Sequence, residues 1–268
     1  MGRRLRTALI VALGAVFTVS MYMVVSSLIQ YQKGRKNYED AKSLIRTASS
    51  AGVGKAAATF APASSETDGK SDMRRLAATD ITALQRVNSD IAGWIEIPGT
   101  AVAYPILQGK DDSYYLTHTW NKEVLPAGSI FLETRCSRNL TDFNTILYGH
   151  NMKDGSMFAA IRSYSGKDFC DAHRNIYIVD ETGVRRYEVF AAYQVSADGK
   201  VYQTDFPDSA SRKNFLSFCT RQSVCRTDAA PSVNDKILTL STCVGFNDSV
   251  RWVVQGALRG VAERSYTP

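Results

Sequence analysis

The chain has 268 residues, of which 32 are Lys or Arg and 26 are Asp or Glu, and 44% are hydrophobic. This balance excludes a wholly disordered chain and a polytopic membrane protein. The formal charge of +6 is uneven: residues 1–79 hold 12 basic against 5 acidic side chains, whereas residues 80–268 hold 20 against 21. A basic N-terminal end on a near-neutral remainder does not make the footprint of a nucleic-acid-binding domain.

Residues 7–32 carry no formal charge, and 8–29 are dominated by Ala, Val, Leu, Ile, Met and Phe. About 20 such residues cross a hydrocarbon core of about 30 Å. The run is longer than the apolar region of a usual signal peptide, and Ser26-Ser27-Leu28-Ile29-Gln30 has no clear small-x-small cleavage pattern. An uncleaved single-pass anchor over 8–29 is therefore expected, behind a tail of residues 1–7. Arg3, Arg4 and Arg6 on one side are answered by Lys33, Arg35 and Lys36 on the other, so flanking charge does not choose the orientation.

Residues 30–79 read as a polar helix, 31–46, followed by a flexible stalk, because 47–72 are rich in Ala, Ser, Gly and Thr. Gly52-Val53-Gly54-Lys55-Ala56-Ala57 matches G-x-G-x-x-A, but no strand precedes it and no βαβ unit surrounds it, which removes a dinucleotide site.

The folded domain is expected over 80–262, with a tail at 263–268. Asp80 is placed to cap a helix over 81–88 with Ile81, Leu84 and Val87 on one face. Eight short β-rich runs follow, at 94–97, 102–106, 129–132, 145–148, 175–180, 186–195, 236–242 and 250–258. That spacing predicts a mainly β domain, a barrel or a sandwich. Met157, Ile161 and Tyr164 indicate a short helix after Gly155, and Phe215, Leu216, Phe218 and Cys219 mark a face of a helix over 209–222.

There is no C-x-x-C, H-E-x-x-H, G-x-S-x-G or Walker A pattern, so no metal or nucleotide cofactor is expected. The residues left for chemistry are Cys and His. Cys243 ends the alternating run 238–243, and Arg251 opens the next strand. A guanidinium beside a thiol favours thiolate and can hydrogen-bond an oxyanion. His150 follows the run 145–148 in a turn-rich loop, a place suited to a proton donor for a leaving amine. His118 and His173 read as structural or surface residues. Cys136, Cys170, Cys219 and Cys225 are expected as mostly buried free thiols, the alternative being a short-loop pair between Cys219 and Cys225.

Together these residues resemble the sortase family, the membrane-anchored cysteine transpeptidases of Gram-positive cell surfaces. The matching pieces are Thr239-Leu240-Ser241-Thr242-Cys243, His150 in Tyr-Gly-His-Asn-Met, and Arg251. The likeness extends to class B through Gly93-Trp94-Ile95-Glu96-Ile97-Pro98-Gly99-Thr100, Tyr104-Pro105-Ile106-Leu107-Gln108-Gly109, Tyr114-Tyr115-Leu116 and Gly128-Ser129-Ile130-Phe131-Leu132. Val244 departs from the acidic residue that follows the cysteine in some relatives, and no Asp-Pro lid motif of class C is present.

The resemblance implies an eight-stranded sortase-type β-barrel with an N-terminal helix and a helix inserted between strands 6 and 7. It implies Cys243 as nucleophile, His150 as proton carrier and Arg251 as the support of the developing oxyanion, with Asn151, Ser241 and Thr242 holding substrate. The implied partners are C-terminal sorting signals of surface proteins, an amine of a peptidoglycan precursor and the membrane, with the catalytic domain on the extracellular face. A membrane-tethered cysteine protease or amidase that uses water, and a non-catalytic wall-binding barrel, stand as the alternatives.

Overall fold

The computed structural model describes residues 2–50, 66–244 and 247–263. Residues 51–65 of the expected stalk, including the G-x-G-x-x-A match, the turn at 245–246 and residues 264–268 of the expected tail lie outside the described residues.

Helix α1 (Arg3–Ser50) is continuous and has two environments. Its first half exposes apolar side chains such as Ile10, Val16, Phe17 and Met23, and the helix is long and apolar enough to cross a membrane. Its second half is docked rather than free. Tyr38, Ala41 and Ile45, spaced i, i+3, i+7, are buried against the barrel. Tyr38 meets Tyr104 edge to face with ring centroids 5.1 Å apart, and the Trp120 indole N–H donates to the Asn37 carbonyl at 3.0 Å.

Residues 66–77 depart from the flexible stalk that their composition suggests. They form helix α2 (Glu66–Ala77), which packs on the barrel through buried Leu76 and Ala77. Arg75 ties it down, bridging Asp72 at 3.0 Å and Glu96 at 2.6 Å. Its apolar stripe, Met73, Leu76 and Ala77, occupies only the last turn, so a helix this short is held mainly by tertiary contacts, and the Ala, Ser, Gly and Thr composition ahead of it outweighs that signal. Helix α3 (Thr82–Val87) begins where Asp80 accepts the Thr82 N–H at 2.9 Å. It buries Ile81 and Leu84, but Val87 points to solvent, outside the face expected for it.

The strands are β1 (Ile91–Glu96), β2 (Ala103–Leu107), β3 (Ile130–Leu132), β4 (Asn144–Tyr148), β5 (Asn175–Val179), β6 (Gly183–Ser196), β7 (Ile237–Val244) and β8 (Asn247–Glu263). They close into a barrel in the order β1-β2-β3-β4-β7-β8-β6-β5, with β2–β3 and β4–β7 parallel and the other pairs antiparallel. Closure removes the exposed sheet edges that a sandwich of short strands would leave. Residues 157–165 give a 3₁₀ turn over Ala159–Ser165 with Met157, Ile161 and Tyr164 fully buried, followed by α4 (Lys167–Ala172).

Helix α5 (Ser209–Gln222) lies between β6 and β7 with Asp208 and Ser211 forming a reciprocal cap. It covers a second cluster outside the barrel, in which Phe143, Phe206 and Phe215 pack edge to face.

The cysteines differ from expectation. Cys170 on α4 is joined to Cys225 just beyond α5, with Cα atoms 6.1 Å apart. The expectation of free buried thiols therefore holds for Cys136 and Cys219 but fails for this pair, and so does the alternative Cys219–Cys225 bond: Cys219 faces the cluster under α5, while the chain leaves that helix along β6, where the Val224 N–H donates to the Ala192 carbonyl at 2.9 Å, and carries Cys225 away toward α4. Cys136 and Cys219 are free and buried.

Candidate active site

The site is built at one end of the β4–β7–β8 part of the barrel. In the parallel pair, Tyr148 stands opposite Ser241, and the Gly149 N–H continues the ladder by donating to the Ser241 carbonyl at 3.1 Å. Two residues beyond that pair come His150, just past the end of β4, and Cys243 on β7. Across the antiparallel pair, Cys243 stands opposite Arg251, whose other neighbour is Val195 of β6. The backbone thus brings the three expected catalytic residues to adjacent positions of one barrel end, although 93 residues separate His150 from Cys243 in the sequence.

His150 sits in a tight hairpin. The Phe158 N–H donates to the His150 carbonyl at 2.9 Å, and Asn151 pairs with Met157. Gly155 adopts φ +81°, in the left-handed region that favours glycine, and the Asp154 carboxylate accepts the Ser156 N–H at 3.1 Å. Gly149 is required by packing: a Cβ there would lie 2.4 Å from Ile130 Cδ1 and 2.8 Å from Phe158 Cδ2.

The imidazole has a definite partner. His150 Nε2 lies 2.7 Å from the Leu116 carbonyl oxygen. A carbonyl only accepts, so Nε2 carries a proton in this arrangement. Leu116 is fixed in turn by Gly128, at φ +54°, where a Cβ would meet the Leu116 oxygen at 2.5 Å, and by the Ser129 N–H, which donates to the Tyr115 carbonyl at 2.8 Å. The Tyr-Tyr-Leu and Gly-Ser-Ile-Phe-Leu segments therefore hold the histidine's acceptor.

Arg251 is half-buried, and its Nη1 donates to the Val250 carbonyl at 3.3 Å. Asn151 is half-buried beside His150. Ser241 and Thr242 are buried: the Ser241 hydroxyl pairs with Tyr202 Oη at 2.8 Å, and Thr242 Oγ1 has no hydrogen-bond partner among the described residues.

Other contributors are not singled out by the sequence as site residues, although Tyr104 and Tyr148 lie inside segments that carry the resemblance. Tyr202, from the 3₁₀ turn Lys200–Tyr202 between β6 and α5, stacks on Tyr148 with centroids 6.0 Å apart. That turn is anchored through Asn144, whose amide donates to the Val201 and Gln203 carbonyls at 3.0 and 2.9 Å. Tyr104 accepts the buried Met157 N–H at 2.9 Å and so props the His150 hairpin from below. Tyr148 Oη donates to buried Glu133 at 2.7 Å, and Arg135 Nε donates to the same carboxylate at 2.8 Å. His118 stacks on Tyr114 at 3.9 Å and His173 Nδ1 lies 2.9 Å from the Pro98 carbonyl.

The closed barrel thus gathers Cys243, Arg251 and His150, the three residues expected to be catalytic, at one rim. Residues 95–259 match the sortase domain family, and the chain belongs to the sortase family. Within it the likeness is to class B. The chain is 44% identical to sortase B of Listeria monocytogenes over 179 residues, 65% of this chain and 72% of the relative. It is 37% identical to sortase B of Staphylococcus aureus over 160 residues, 60% of this chain and 66% of that one. A Staphylococcus aureus sortase B–substrate complex superposes with a TM-score of 0.71 at 28% identity, covering 87% of this chain and all of the other. The protein is accordingly a class B sortase, a cysteine transpeptidase with a sortase-type barrel.

Proposed function

We propose that this enzyme cleaves a C-terminal sorting motif of surface proteins at a Thr–Gly type amide and transfers the acyl part to an amine of a peptidoglycan precursor. The observation that carries the reading is the strand register that sets Cys243 beside Arg251 and level with His150. The Cys243 thiolate attacks the threonine carbonyl carbon, and Arg251 balances the charge that collects on oxygen. His150 gives its proton to the departing glycine amine as the C–N bond breaks, leaving a thioester. The incoming amine, losing its proton to His150, then attacks the thioester, and thiolate departs as the new amide forms. Asn151 and the backbone at Ser241 and Thr242 hold the substrate's extended chain.

The apolar half of α1 anchors the protein, with residues 1–7 cytoplasmic and the barrel on the extracellular face, where wall precursor and sorting signals meet. No cofactor or metal is required by this chemistry.

The test is a peptide assay on Asn-Pro-x-Thr and Leu-Pro-x-Thr type substrates with and without an added amine. The expected results are a thioester adduct on Cys243 by mass spectrometry, amide product when amine is present, and loss of both in Cys243→Ala. Cleavage that ignores the amine would instead identify a hydrolase, and cleavage surviving Cys243→Ala would remove the nucleophile assignment.

A further inference from the structure

A groove of about 330 Å³ lies where α1 leaves its apolar half and meets the barrel. One wall is helical, including Ser27, Gln30, Tyr31 and Arg35; the other includes Tyr104 and, from the His150 hairpin, Met152 and the run Asp154–Ser156. At about 1.5 Å per residue, the 22 residues 8–29 span about 33 Å, the thickness of a hydrocarbon core. Ser27 and Gln30 therefore fall at its outer boundary, and Arg35 lies about 9 Å beyond Ile29, in the headgroup layer. Tyr31 stands at the level where aromatic side chains favour the interface.

The charges lining the groove are not equivalent. Lys42 is neutralised within the groove wall by Glu39, 2.9 Å away. Asp154 is turned toward its own hairpin, where its carboxylate accepts from the Ser156 N–H and hydroxyl. Arg35 is exposed and makes no salt bridge among the described residues. A guanidinium with its fork uncommitted, flanked by the tyrosine hydroxyl and the Gln30 amide at headgroup depth, matches a phosphodiester.

We propose that this groove is a binding site for the headgroup of an anionic glycerophospholipid, phosphatidylglycerol being the chemistry it fits. The inference rests on the membrane-anchor reading of α1. The lipid phosphate pairs with Arg35, the headgroup hydroxyls meet Gln30 and Tyr31, and the acyl chains run beside the apolar half of α1. Because Met152 and Asp154–Ser156 help form the far wall, the bound headgroup fixes the height and tilt of the His150 end of the barrel above the bilayer.

The test uses the full chain in dodecyl maltoside, titrated with phosphatidylglycerol, phosphatidylcholine or inorganic phosphate, and read by native mass spectrometry. A one-to-one phosphatidylglycerol adduct is expected, with neither phosphatidylcholine nor phosphate replacing it. Arg35→Gln should lower occupancy about fivefold, the weight of one cation at an anionic surface, while Lys36→Gln, on the same helix but outside the groove, should not. Equal loss in both variants, or an adduct unaffected by Arg35→Gln, overturns the site in favour of diffuse attraction; equal binding of inorganic phosphate overturns the lipid assignment. Flotation with liposomes separates the two readings. Wild type that floats without forming the adduct loses only the site, whereas wild type that fails to float loses the anchor and the site with it.

Discussion

Tyr148 and Ser241 stand opposite each other in the parallel β4–β7 pair, and this one register places His150 and Cys243 at the same level of the barrel rim. Because side chains alternate along a strand, a slip of one residue in that pair would reverse the faces of everything beyond it. Ile146 and Leu147 point to opposite faces of β4 and both are buried, as is Leu240 opposite Leu147, so the rim that carries the expected catalytic residues rests on packing against both faces of this strand pair.

His150 and Arg251 should separate by kinetics. His150→Ala is expected to lower kcat for peptide transfer by about 10²–10⁴, the usual weight of a general acid–base group. Arg251→Gln is expected to cost about 10²–10³, as for loss of an oxyanion donor, with partial recovery in Arg251→Lys. Both variants should still form the barrel by circular dichroism, since neither residue fills the core. An Arg251→Gln enzyme of wild-type rate would remove the oxyanion role.

Much of this was legible in the sequence because it is written in local pattern. The eight β-rich runs, the helix over 209–222 and the cysteine and histidine segments each show within a dozen residues. What was hidden depends on contacts between distant residues. Helix α2 has Met73, Leu76 and Ala77 on one face, but that stripe fills only its last turn after a polar run with Gly69, and what holds it is Arg75 reaching Glu96 and Leu76 entering the core. The Cys170–Cys225 bond joins segments 55 residues apart, and spacing alone cannot rank such pairings. Leu116 serves the site through its backbone carbonyl, which any residue supplies, so its side chain carries no mark of the role.

Tyr104 is expected to act as a positioning residue. Its hydroxyl is the acceptor for the buried Met157 N–H, and Tyr104→Phe would leave that donor without a partner at about 1–3 kcal/mol. Met157 holds φ +56°, so the hairpin is kept in an uncommon backbone conformation by its surroundings. Loss of the hydroxyl should lower both thermal stability and kcat, with KM for the sorting peptide less affected. Hydrogen exchange at residues 150–158 provides the direct reading: unchanged protection there would show that Tyr104 does not support the loop.

Thiol labelling should distinguish Cys243 from the other cysteines. Burial pushes the Cys136 thiol up to about 12 and the Cys219 thiol up to about 11, so neither supplies thiolate at neutral pH. Cys170 and Cys225 are committed to their disulfide. Native protein treated with iodoacetamide at pH 7.5 is expected to take up one equivalent, on Cys243, with activity lost in step. Denatured, unreduced protein should take up three. Rapid native labelling of Cys136 or Cys219 would contradict the burial argument.

Acid stability should depend on Glu133. Burial alone would raise its pKa, but hydrogen bonds from Arg135 and Tyr148 outweigh that and hold the carboxyl down at about 2, against an ordinary 4.5. A carboxyl whose folded pKa is depressed binds fewer protons folded than unfolded. Its contribution is therefore complete above about pH 4.5 and is lost as pH falls toward 2. Asp112 acts in the opposite sense, since burial and the negative charge of Glu133 raise its pKa. The net effect is on the order of 2 kcal/mol rather than the full value of the Glu133 shift. Urea unfolding of wild type and Glu133→Gln at pH 7, 5, 4 and 3 provides the comparison. The variant is expected to be less stable at pH 7, where it loses a charged partner for Arg135, and to lose less stability than wild type between pH 4.5 and 3. Parallel curves would mean that Glu133 does not carry the acid response of the barrel.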